Sequence, residues 1–182
     1  MSERDLAIEI FSENIPYDFS GFNCGVTSLT DFALRHLAAQ HHKGILKAYL
    51  LFDKNTSKII GYYTLSGSHF ERGKIASRTQ QKKIPYINVS SITLGRLAVD
   101  STEQGNGYGE LLVTHAMRTV YRASLAVGIY ALFVEALNDK AEEFYLKLGF
   151  QPLKRVSECP NRCLFYPVSG FRELFDNVSS GS

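Results

Sequence analysis

In this 182-residue chain the run Leu97-Ala98-Val99-Asp100, followed by Gln104-Gly105-Asn106-Gly107-Tyr108-Gly109, combines residue types and spacing that could do chemistry. Residues 89–99 are mostly small or β-branched and predict a strand, and the apolar spacing from Tyr108 onward predicts a helix. A strand that empties through three alternating glycines into a helix presents several backbone N–H groups at a positive dipole end. With no Cβ atoms in the way, a phosphate can approach them closely. Two other cradles are excluded. No Lys-Ser or Lys-Thr follows, so a P-loop fails, and a dinucleotide fingerprint needs different glycine spacing after a first strand. Residues 89–99 also contain no Asp or Glu that could act as a base from that strand.

Tyr145 shares a predicted helix face with Ala141 and Leu148, so its phenol can point inward and donate a proton. His36, His41 and His42 fall on one basic helix. His41 and His42 diverge around it and no carboxylate completes a ligand set, so no metal is expected. Cys159 and Cys163 have no nearby histidine to activate a thiol. Three cysteines without zinc spacing point to a reducing compartment.

Several elements must position these groups. Leu6–Phe11 reads as a first strand, and Ser28–His42 as one helix with Leu29, Phe32, Ala33 and Leu37 inward, a Ser28/Asp31 capping pair and a stop at Gly44. Lys47–Phe52 and Ile59–Leu65 predict an antiparallel hairpin. The basic stretch from Glu71 to Asn88 has no clear period and reads as a long loop, functional or mobile. The helix from Tyr108 should turn Leu112, Ala116, Val120 and Ala123 inward, and Ile129–Ala136 should be a strand covered on both faces. Asn138 or Asp139 caps a further helix, with Asp139 and Glu142 as a box-like pair, Ala141, Phe144 and Leu148 buried, and Gly149 ending it. Gln151–Lys154 and Cys163–Tyr166 complete an α/β or α+β layer fold on a mixed sheet.

Hydrophobic residues at 45% and charged residues at 21% describe an ordinary globular chain and exclude disorder, collagen and a disulfide mini-scaffold. At this length about 70% of the unfolded surface is buried on folding, so a core needs no metal or disulfide support. One domain over residues 1–178 is expected, with 179–182 a frayed tail. Charge interrupts every apolar run before membrane-spanning length, and no segment reads as a signal peptide, so a cytoplasmic protein is expected. Net charge is only +2, but it is unevenly distributed. Residues 32–52 and 72–99 hold nine bases and no acid, whereas the rest holds eleven bases and eighteen acids. That asymmetry fits a polyanionic partner or a solvated face.

The Gln-x-x-Gly-x-Gly run between strand and helix resembles the acetyl-CoA motif of GNAT-type N-acetyltransferases. Asn138, Ala141-Glu142-Glu143-Phe144-Tyr145 and Leu148-Gly149-Phe150 are similar to that family's later segment, in the right order and spacing. More narrowly, Asn23-Cys24-Gly25, Gly61-Tyr62-Tyr63-Thr64-Leu65, Lys82-Lys83-Ile84-Pro85-Tyr86, Leu94-Gly95-Arg96-Leu97-Ala98-Val99-Asp100 and Ala126-Val127-Gly128 resemble acetyltransferase toxins of type II toxin–antitoxin modules. The AtaT type is the nearest of these, with the TacT and ItaT types also similar.

The resemblance implies a GNAT fold, a mixed and mostly antiparallel sheet flanked by helices, with acetyl-CoA as co-substrate. It implies that Gln104, Gly105, Asn106, Gly107, Tyr108 and Gly109 hold the pyrophosphate, and that Leu97, Ala98 and Val99 hold the pantetheine and acetyl groups. Glu110, Asn138 and Phe144 would also line the cofactor, and Tyr145 would protonate the departing thiolate. It further implies acetylation of the free α-amine of an aminoacyl-tRNA, a translation block, a ribbon-helix-helix antitoxin, joint repression of the operator DNA, and a homodimer. A strand without a carboxylate agrees with such a substrate, because an α-amine has a pKa of about 7.7–8.0 and is largely neutral unaided. Arg35, Lys43, Lys47, Arg78, Lys82 and Lys83 are the expected tRNA surface. Arg96 stays open between a structural role and pairing with antitoxin acids. Two other readings stand beside this one: a GNAT enzyme acting on a small amine or protein N-terminus, and a non-catalytic module that binds antitoxin or DNA.

Overall fold

The computed structural model describes residues 3–155 and 161–176. Seven strands, β1 (Leu6–Ile10), β2 (Lys47–Asp53), β3 (Ile59–Glu71), β4 (Asn88–Val99), β5 (Ala131–Ala136), β6 (Gln151–Pro152) and β7 (Arg162–Pro167), form a sheet in the order β1-β2-β3-β4-β5-β7-β6. The pairs β1/β2, β2/β3, β5/β7 and β6/β7 are antiparallel and β4/β5 is parallel, which is the mixed, mostly antiparallel sheet expected. Two compact units are distinguished, Met1–Ser66 with Gly95–Ala116, and Gly67–Leu94 with Met117–Ser182.

In the first unit, one sheet face is covered by α1 (Thr27–Arg35) and α2 (Leu37–His42). Phe32, Leu37, Ala48, Leu50, Tyr62 and Ala98 are buried together there. The sequence predicts one helix from Ser28 to His42, and the structure divides it. His36 leaves helical geometry with φ −124°, and Leu37 beyond it is completely buried. No Gly or Pro marks the break, so packing of Leu37 decides it. The expected Ser28 cap is also absent, because the helix starts at Thr27 with Val26 as an uncapped N-terminus. α4 (Tyr108–Ser124) begins in this unit, with Leu112, Val113 and Ala116 buried. Gly61 of β3 permits a close approach, since a Cβ there would stand 2.7 Å from the Ala98 carbonyl oxygen.

In the second unit, Phe70, Ile75, Ile84, Val89, Ala131, Leu153 and Phe165 form the core. Met117 and Val120 continue the buried stripe of α4, but Ala123 is exposed, so the stripe ends before the helix does. The stretch read as a long loop is structured. A 3₁₀ turn at Arg72–Lys74 precedes α3 (Arg78–Lys82), whose first turn is capped by Ser77 Oγ accepting from the Gln80 N–H at 3.2 Å. Ile75 and Ile84 anchor the two ends of this segment.

α5 (Asp139–Lys147) is capped by Asn138, whose Oδ1 accepts from the Ala141 N–H at 2.8 Å. It buries Glu142 and Tyr145, whereas Ala141, Phe144 and Leu148 are only partly covered, because the Glu142 carboxylate is drawn inward to pair with Arg162. Gly149 ends α5 at φ +98°. α6 (Val168–Asp176) lies beyond the last element read from the sequence and carries Gly170 in its first turn. That glycine is required by packing, because a Cβ there would lie 2.8 Å from Tyr166 Cε1. The expected tail at 179–182 lies outside the described residues.

Candidate functional site

The β4/β5 ladder runs from Ser91↔Ala131 to Leu94↔Val134, although β4 continues to Val99. Among the described residues, 95–99 therefore keep one edge without a strand partner. The Asp100 N–H donates to Ile60 O on β3 at 2.8 Å. By the alternation of strand amides, the N–H groups of Val99 and Leu97 face the opposite, unpaired edge. Standing two residue rises apart, about 6.6 Å, these amides can donate to separate acceptors along a bound arm, one of them an acyl oxygen.

The turn that follows is braced from within. Asp100 accepts from the Asn23 N–H and Thr102 N–H, both at 3.0 Å, and from Thr102 Oγ1 at 2.6 Å. Burial would raise its pKa, but the Thr102 hydroxyl and the two amides more than offset this and hold the carboxyl below its ordinary value. Gln104 Nε2 donates to Cys24 O and Val99 O, each at 3.0 Å. Asn106 Nδ2 donates to Glu103 O at 3.1 Å. The side chains of Gln104 and Asn106 thus shape the turn, and their contribution to an anion is left to the main chain.

Gly105 and Gly107 take φ +87° and +79°, and nothing lies within 4 Å of where a Cβ would stand at either. The N–H groups of Tyr108, Gly109 and Glu110 lack acceptors within α4 because they belong to its first turn. Open glycine backbone at the start of a 17-residue helix is a donor set for a diphosphate, and the free β4 edge suits a thioester arm. Acetyl-CoA fits both.

Tyr145 belongs to the second unit. It is buried on α5 with Phe144 and Phe150 packed against its ring at centroid distances of 5.2 and 5.3 Å. Burial pushes its pKa up to about 12, so the phenol keeps its proton at neutral pH. Its hydroxyl meets no hydrogen-bond partner among the described residues. Phe144 is half-buried beside it, and the Asn138 side-chain oxygen is occupied in capping α5.

The six expected RNA-facing cations are all exposed: Arg35, Lys43 and Lys47 in the first unit, and Arg78, Lys82 and Lys83 in the second. Arg78 and Lys82 line an open groove of about 610 Å³ with Arg72 and Lys154, while Lys83 lies off it. Arg72 belongs to the acid-free stretch but not to the expected RNA contacts, and Lys154 belongs to neither group. Lys154 had no local signal, because it is brought in by the Ile75↔Leu153 bridge and by its N–H donating to Lys74 O at 2.8 Å.

Two of the three histidines of the basic helical segment have protein partners. His41 Nδ1 accepts from the Ala48 N–H at 3.0 Å, with burial foremost and then Lys47 lowering its pKa, and His42 Nδ1 meets Glu13 at 2.7 Å. Among the described residues no group of three or more His, Cys, Asp or Glu could hold a metal ion. Cys163 is half-buried, and Cys159 lies outside the described residues.

A sheet with an open edge beside a glycine-led helix start defines an acyl-CoA-binding α+β class. Residues 47–152 match the family model described as an acetyltransferase (GNAT) domain. The chain belongs to the GNAT acetyltransferase family. A crystal structure of a tyrosine-to-phenylalanine variant of KacT is 51% identical with a TM-score of 0.89, covering 95% of this chain and 100% of that one. AtaT complexed with acetyl-methionyl-tRNAfMet is 50% identical with a TM-score of 0.87, covering 94% of this chain and 99% of that one. A tRNA-acetylating toxin of Mycobacterium tuberculosis is 29% identical over 134 residues, 74% of this chain and 78% of the relative. AtaTR bound with AcCoA (50% identical, TM-score 0.80) and a KacTA–DNA complex (48%, 0.79) are also similar. No helix of the described residues is long and apolar enough to cross a membrane.

Proposed function

We propose that this chain is the toxin of a toxin–antitoxin pair and acetylates the free α-amine of aminoacyl-tRNA, so that the charged tRNA no longer serves translation. The likeness that carries the reading is to AtaT captured with acetyl-methionyl-tRNAfMet, at half identity over 94% of this chain. Acetyl-CoA supplies the acyl thioester. Of the Leu97 and Val99 amides one donates to the acyl oxygen and the other to the pantetheine arm, and the Gly105–Gly109 backbone and the first turn of α4 hold the diphosphate. As the amine bonds to the acyl carbon the C–S bond breaks, Tyr145 gives its phenolic proton to the departing sulfur, and the proton shed by the amine restores the phenol through solvent. A relative studied as a tyrosine-to-phenylalanine variant supports attention to this residue.

No carboxylate stands on β4, and none is needed for an amine that is already largely neutral. Arg35, Lys43, Lys47, Arg78, Lys82 and Lys83 bind phosphates of the tRNA, and the groove adds Arg72 and Lys154. The protein acts in the cytoplasm as a homodimer, is restrained by a ribbon-helix-helix antitoxin, and with it represses its own operator. The test is incubation with labelled acetyl-CoA and separate pools of charged tRNA, polyamines and peptides. Label should pass to charged tRNA and be released as acetyl-aminoacyl product on deacylation. Label confined to polyamines or peptides would replace this reading with a different acceptor, and no transfer to any pool would favour a binding module.

A further inference from the structure

Among the described residues, Arg72, Arg96 and Arg162 are the arginines that are partly buried. Arg72 Nη1 donates to Ile84 O at 2.9 Å, and Arg162 pairs with Glu142. Arg96 has no such partner. Its guanidinium lies 3.8 Å from the centroid of the Phe32 ring, and among the described residues it reaches no carboxylate or other oxygen acceptor. Its nitrogens retain contact with solvent. A cation drawn partly out of water is costly unless a counter-charge or hydrogen bonds replace the lost hydration.

The stack is itself held in place. Phe32 is buried and stacks on Tyr62 with centroids 5.9 Å apart and planes at 28°, and Tyr62 OH donates to Leu29 O at 2.6 Å. One face of the guanidinium is therefore fixed against a rigid aromatic pair, and its donor-bearing edge is left for a planar, bidentate acceptor. Arg96 also directly precedes Leu97–Val99 on β4, within the same unit.

We infer that Arg96 binds the 5′ phosphate of the aminoacylated terminal nucleotide and so delivers the ester-linked α-amine to the acyl group. This assignment rests on the aminoacyl-tRNA reading above. The phosphate is the fixed negative charge on the same nucleotide as the aminoacyl ester. It is present whichever amino acid is attached, so a grip on it aligns the amine without reading the side chain. Arginine suits the task because its fork matches two phosphate oxygens at once, while the ring beneath prevents it from swinging away.

The experiment uses the full chain and three acceptors: aminoacyl-tRNA, 2′(3′)-O-aminoacyl-adenosine, and the same nucleoside ester bearing a 5′ phosphate. The wild type should use the phosphorylated ester with kcat/KM about tenfold or more above the unphosphorylated one, as expected for a charge-assisted contact. Arg96→Gln should abolish that preference through a higher KM, with kcat/KM on the unphosphorylated ester and acetyl-CoA binding by calorimetry both unchanged. Arg96→Lys should retain part of the preference.

Equal use of the two esters by the wild type overturns the assignment, and this comparison needs no variant to fold. A preference preserved in Arg96→Gln, or an equal loss on both esters, overturns it as well. A wild type that acetylates aminoacyl-tRNA but fails these tests leaves the proposed function standing, whereas one that acetylates no aminoacyl ester overturns both.

Discussion

The Tyr145 phenol sits among Phe144 and Phe150 with its pKa raised to about 12, so near neutrality it holds its proton and is present as an acid rather than as a base. Tyr145→Phe keeps the ring in its packing and removes only the hydroxyl. The variant should bind acetyl-CoA as the wild type does by calorimetry, while kcat falls by about 10²-fold or more and expression no longer arrests growth. Undiminished turnover would take Tyr145 out of the mechanism. The residue types at this site were legible in the chain because phenol, glycine and amide each have few chemical uses. The employment of Gln104 was not. Its side chain turns back to Cys24 O, and a partner eighty residues away leaves no trace in local spacing.

At the scale of elements, two glycines test two different claims. Gly107 is held at φ +79° with open space where a Cβ would be. Gly107→Ala should cost about 1–2 kcal/mol of stability from the left-handed backbone alone. It should also weaken acetyl-CoA binding about tenfold or more, because the methyl group would occupy the approach to the helix start. Calorimetry showing an unchanged Kd would rule out the cradle.

Gly61 lies in extended backbone, and its constraint is contact. A Cβ 2.7 Å from Ala98 O and 3.2 Å from Leu112 Cδ1 forces β3 away from β4 and α4. Gly61→Ala should cost about 1–3 kcal/mol, read as a lower Tm in a thermal melt. An unaltered Tm would mean that these elements are not so closely apposed. Strand and helix positions were readable from period and composition, whereas the close approach at Gly61 and the break at His36 were decided by what packs against them.

Across the whole molecule a net charge of +2 conceals two acid-free segments, which expose Arg35, Lys43 and Lys47 in the first unit and Arg78, Lys82 and Lys83 in the second. Opposite charge on a nucleic acid acts through release of counterions, so its contribution fades as salt rises. Lys82→Glu combined with Lys83→Glu should weaken tRNA binding strongly at low salt, with the two proteins converging at high salt, as measured by filter binding across a salt series. Affinity equal to that of the wild type at every salt concentration would remove this face from the RNA surface.

The amino-acid sequence alone determined the strand-turn-helix that opens α4, the hairpin of β2 and β3, the helix carrying Tyr145 and the basic segments, because these depend on period, glycine content and charge within short windows. Only the folded structure decided where the β4/β5 ladder stops, that Glu142 turns inward to Arg162, that Lys154 joins Arg72 and Arg78, and that Arg96 lies against Phe32. Each of these is a meeting of segments distant along the chain. Such meetings follow from how apolar surfaces are buried together and how polar groups find partners in that burial, and no local pattern encodes them.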